Sequence, residues 1–106
     1  MLNKILFIAV MVFLMLLAGG AQAGGDPAMG AELAMECADC HGEDGKGDDE
    51  IPGIAGLDAA THTKFLKEYK SGARTSEDDV MQEYTADLTN QEIADIVAYY
   101  ASLPAN

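Results

Sequence analysis

Cys37 and Cys40 are the only cysteines in this 106-residue chain, and His41 follows the second directly. Two sulfurs three residues apart beside an imidazole can do several kinds of chemistry. They can cycle between dithiol and disulfide, supply half of a metal site, or anchor a group that the polypeptide itself lacks.

Each option makes a demand on the rest of the chain. A thiol–disulfide motif belongs at a helix start after a strand, and no segment before Cys37 alternates as a strand. A structural zinc site needs four ligands. Beyond Cys37, Cys40 and His41 the chain offers only His62, which lies within a patterned helix. The acidic run Asp44–Glu50 fails as a calcium loop because Lys46 stands at a ligand position. A disulfide closing so short a loop would add little stability. Cys37-Ala38-Asp39-Cys40-His41 is instead the C-x-x-C-H signature of c-type haem attachment. One helical turn puts both sulfurs on one face, where they reach the two vinyl groups of a porphyrin, and His41 is carried beneath the ring toward iron.

Helices must position these groups. Asp26 can cap a first helix with Pro27 at its first position, running through Cys40. A glycine-rich acidic loop follows. Asp58 opens a second helix in which His62, Phe65, Leu66 and Tyr69 fall at i, i+3, i+4 and i+7, and Gly72 stops it. Ser76 and Asp79 resemble a capping box for a short helix containing Met81. Thr89 and Glu92 form a clearer box for a last helix, with Ile93, Ile96, Val97 and Tyr100 as its apolar stripe and Pro104 beyond its end. The expected fold class is all-α, in one domain over residues 24–106.

Residues 1–23 are read as a signal peptide. Lys4 precedes a 14-residue apolar run, Ile5 to Ala18, and Ala21-Gln22-Ala23 has the form of a cleavage site. The run is shorter than the roughly 20 residues of a membrane span. The expected location is the periplasm, with no stable membrane insertion after cleavage. The alternative is a tether to the outer face of the inner membrane through an uncleaved signal. The remaining 83 residues carry all 18 acids and five of the six bases, a formal charge of −13. So acidic a surface repels nucleic acid and is steered toward basic protein surfaces. Its core is thin for its size, and a porphyrin would supply the missing apolar bulk.

The segments GAELAMECADCHGEDG, IPGIAGL, FLKEYKSGAR and LTNQEIADIVAYYASLP together resemble a small monohaem class I cytochrome c. They are similar to the cytochrome subunit of flavocytochrome c sulfide dehydrogenase. The resemblance runs from about Pro27 to Pro104 and implies three to four helices wrapped around one haem c, covalently bound through Cys37 and Cys40. It implies His41 and Met81 as the axial iron ligands, Met81 being the only methionine after the motif. His62 is the rival sixth ligand, and an open sixth position is the other alternative. Pro52, in Pro52-Gly53-Ile54-Ala55-Gly56, matches a proline whose carbonyl accepts a hydrogen bond from His41. Ile54, Leu57, Phe65, Leu66 and Ile96 or Val97 are candidates for the pocket wall. Gly30 and Leu33, facing Tyr99 or Tyr100, match the contact between first and last helices.

The implied function is electron transfer with no bond chemistry, hence no enzyme. The chain would act as a soluble carrier or as the cytochrome subunit of a dehydrogenase, with a flavoprotein as a possible partner. A haem enzyme or gas-binding cytochrome with an open sixth position is the alternative. Two acidic clusters, Glu43 to Glu50 and Glu77 to Asp79, would face a basic redox partner or serve only as solvated surface.

Overall fold

A computed structural model describes residues 24–105. Among them there are four α-helices and no strand: α1 (Pro27–His41), α2 (Ala59–Ser71), α3 (Val80–Ala86) and α4 (Asn90–Ser102). The signal-peptide reading of residues 1–23 lies outside the described residues. No described helix is long and apolar enough to cross a membrane.

The helix ends follow local chemistry. Asp26 Oδ1 accepts from the Ala28 amide at 2.9 Å, with Pro27 in the first position. Asp58 accepts from the Thr61 amide at 3.2 Å, and Gly72 closes α2 in the left-handed region. At α4 the capping box is complete: Thr89 Oγ1 accepts from Glu92 N at 3.1 Å, and Glu92 Oε1 accepts from Thr89 N at 3.0 Å.

The segment before α3 departs from the expected capping box. Glu77–Asp79 form a 3₁₀ turn, and Ser76 makes no side-chain cap to it. Ser76 Oγ instead donates to Gln82 Oε1 at 2.7 Å and accepts from the Met81 amide at 2.9 Å. The backbone explains the change: Asp78 and Asp79 both have positive φ, 54° and 58°, so the Asp79 amide still donates to the Ser76 carbonyl at 3.2 Å while its side chain turns to Gln82 Nε2.

The core forms where α1 crosses α4. Ile93, Ile96, Val97 and Tyr100 of α4 are buried with Ala34 of α1 and Leu66 of α2. Gly30 sets the closeness of that crossing, because a Cβ there would overlap the Asp95 carbonyl and Tyr99 Cβ. Asp95, 6% exposed, accepts from the Asp26 amide at 2.8 Å and from Gln91 Nε2 at 2.9 Å. The chain entering α1 is thereby tied to α4. Helix α2 packs on α3 and α4, whereas α1 does not approach α2 or α3 closely.

Candidate functional site

Cys37, Cys40 and His41 occupy the last turn of α1. Both cysteines are free thiols; Cys37 is half-buried and packs against the core, and Cys40 is exposed. Burial raises the Cys37 thiol above its usual range, and the Glu36 carboxylate adds to the effect although a backbone hydrogen bond opposes it. A redox-active dithiol needs the reverse, a thiol pulled down toward the thiolate. The local environment thus suits a sulfur held in a covalent bond better than one exchanging disulfides.

His41 is 8% exposed, and its Nδ1 donates to the Pro52 carbonyl at 2.8 Å. That bond orients the ring and makes Nε2 the nitrogen available to a ligand. The loop after α1 brings Pro52 there by doubling back on itself. Gly47 N donates to the His41 carbonyl at 2.7 Å, and Asp48 N to the Ile51 carbonyl at 2.8 Å. Gly47 is required at its position, since φ is +67° and a Cβ would overlap the Ile51 carbonyl. Asp48 Oδ1 closes the turn by accepting from the Glu50 and Ile51 amides, both at 2.8 Å; these bonds lower its pKa, that from Ile51 most.

Met81 sits in the first turn of α3, partly buried and packed against the core cluster. Leu66, Ile96 and Val97 belong to that cluster and Ile54 lies against it. Leu57 and Phe65 are partly buried outside it. Phe65 instead carries the Arg74 guanidinium, 4.0 Å above its ring.

His62 is 3% exposed, and its Nδ1 has no hydrogen-bond partner. Burial first, and the charge of His41 second, push its pKa down to about 4. Tyr100, 1% exposed, has only the Cys37 sulfur near its hydroxyl and no oxygen or nitrogen partner among the described residues. Burial, then the charge of Cys37, raises its pKa. The two rings lie 5.8 Å apart. Buried polar atoms without partners are uncommon in folded proteins. Here they lie together beside the core cluster against which Cys37 packs. Together with two adjacent free thiols and an oriented imidazole, these features fit a large planar group anchored at the end of α1.

Sequence reasoning named Tyr100 only as helix packing and did not anticipate Asp95. It also missed a groove of about 430 Å³ where Glu32 and Glu36 of α1 meet Glu83, Tyr84 and Asp87 of α3 and Glu92 of α4. These acids are scattered along the chain, so no local charge run announces them.

Residues 27–104 match the family model described as cytochrome c. The chain is 37% identical over 86 residues to the thiosulfate dehydrogenase electron acceptor of Stutzerimonas stutzeri, covering 79% of this chain and 37% of that one. It is 36% identical over 74 residues to the cytochrome subunit of sulfide dehydrogenase of Chlorobaculum tepidum, covering 70% and 66%. The fold resembles the crystal structure of reduced cytochrome c4 from Pseudomonas stutzeri, with a TM-score of 0.67, 27% identity and coverage of 78% of this chain and 53% of that one. The chain therefore spans little more than a third of the first relative and about half of the solved structure.

Proposed function

The chain belongs to the cytochrome c family, and from that membership we propose that residues 24–106 form a periplasmic electron-transfer domain carrying one haem c. The observation that supports this most is the end of α1: two free thiols one turn apart, followed by a buried imidazole whose Nδ1 is bound to Pro52. Cys37 and Cys40 would hold the haem covalently. His41 would bind iron through Nε2, and Met81 through its thioether sulfur. When bound, the haem supplies one-electron chemistry between ferrous and ferric iron.

The chain's own groups set the conditions for that transfer. Pro52 fixes the His41 ring and raises its basicity as a ligand. Ser76 and Gln82 hold the turn from which Met81 projects. A thioether opposite an imidazole favours a higher potential than two imidazoles would. Two protein ligands leave no position for a substrate, so the domain relays electrons and makes no bonds.

Residues 1–23 direct export and are removed. The domain then works as a soluble carrier or as the electron-accepting subunit of a dehydrogenase, with a flavoprotein of the sulfide-dehydrogenase kind as partner. The printed names of the two relatives support this reading. Its docking face is acidic and meets a basic surface. Glu36, one turn before the exposed Cys40 on α1, lines an acidic groove that supports this reading.

The test is a pyridine haemochrome assay and a redox titration on protein from cells that mature c-type cytochromes. One haem per chain titrating as a single electron is expected. Colourless folded protein would refute the reading. N-terminal sequencing of the same material should begin at Gly24.

A further inference from the structure

We propose that His62 and Tyr100 form a polar pair on the inner wall of the haem pocket, and that the pair lowers the reduction potential by stabilising ferric iron. The inference rests on the haem reading above.

Both positions are among the most enclosed in the molecule, 3% and 1% exposed, and both would pack well as hydrocarbon. Each instead buries a poorly satisfied polar atom: His62 Nδ1 has no partner among the described residues, and Tyr100 Oη has only the Cys37 sulfur, a weak hydrogen-bonding group. Leaving such a group unsatisfied costs about 1–3 kcal/mol, a large sum for a domain with so thin a core. Packing alone gives no reason to keep both.

Their placement gives one. The ring planes are tilted by 58° with centroids 5.8 Å apart, so the pair spans from α2 to α4. Tyr100 belongs to the core cluster against which Cys37 packs, and the His62 ring stands against Tyr100. The pair thus lies beside one of the two anchoring sulfurs. Burial favours the neutral form of His62, so it contributes a dipole. A phenolic O–H held only by a sulfur can rotate, and a neutral imidazole presents a donor at one nitrogen and an acceptor at the other. Ferric iron carries one more positive charge than ferrous iron. Dipoles free to turn toward that charge in a low-dielectric interior favour the oxidised state.

The experiment measures the ferrous-to-ferric ratio at fixed ambient potential, at pH 7, on haem-loaded parent, His62→Leu, Tyr100→Phe and His62→Gln. His62→Leu and Tyr100→Phe should each raise the ratio three- to tenfold, a tenfold change being about 59 mV. His62→Gln, which retains a dipole, should return most of the way to the parent. Equal ratios in parent and both apolar variants would overturn the proposal, as would a fall, or a His62→Gln no different from His62→Leu. Should His62→Leu fail to fold, Tyr100→Phe decides, since it removes one oxygen and no packing volume. The haemochrome assay comes first: a parent without haem refutes the underlying reading and this inference together, whereas a haem-loaded parent with unchanged variants refutes the inference alone.

Discussion

Met81 enters α3 through a turn with two left-handed aspartates, its amide held by Ser76 Oγ at 2.9 Å. Met81→Ala should lower the reduction potential, abolish the near-infrared sulfur-to-iron band and let carbon monoxide bind the reduced protein without unfolding. An unchanged spectrum would move the ligand elsewhere. Pro52 acts through its carbonyl, which Pro52→Ala retains, so that variant should load haem with a near-parental spectrum. His62 makes a pH prediction whose sign follows from its lowered pKa. Below its unfolded value near 6.5 the unfolded chain binds a proton that the folded chain refuses until about pH 4. Stability should be level in this term above pH 6.5 and fall as pH drops toward 4, by on the order of 3 kcal/mol. Denaturation of His62→Leu over the same range should show a shallower fall; parallel curves would show that His62 is not buried neutral. The placement of Cys37, Cys40 and His41 at the end of one helix was legible from spacing, because three residues make about one helical turn. The state of His62 was not, because its phase on α2 suits a packed histidine, a ligand or a pocket dipole equally.

At the scale of elements, the crossing of α1 and α4 depends on Gly30. Gly30→Ala should destabilise the domain by about 1–3 kcal/mol, read as a lower thermal midpoint with the haem spectrum retained, because the overlap falls on the Asp95 carbonyl and Tyr99 Cβ. A parental midpoint would mean that the helices can separate at no cost. Thr89→Ala removes one half of the capping box and should cost about 1 kcal/mol. Helices α1, α2 and α4 could be read from their caps because Asp26, Asp58 and Thr89 bond to amides two or three residues away, a relation the sequence states directly. The entry to α3 could not. There Ser76 pairs with Gln82, six residues on, and nothing in the composition signals positive φ at Asp78 and Asp79. Asp95 was hidden for a related reason: its partner, the Asp26 amide, is 69 residues away.

The chain is strongly acidic, and carboxylates from three helices line one groove. Its electron transfer with a basic partner should slow as salt rises, since exposed charges are screened beyond about 10 Å at 0.1 M. A rate that stays flat from low to high salt would remove the docking role of that face. The acidity was legible from composition, but its concentration in one groove required the fold. All of this depends on the bond between α1 and its cofactor, and the intact mass of the exported chain tests that bond most directly. Protein made by cells with the maturation machinery should weigh one haem more than residues 24–106, and the increment should survive unfolding in acid and organic solvent. A chain that weighs only its amino acids, with both thiols open to alkylation, would contradict the account.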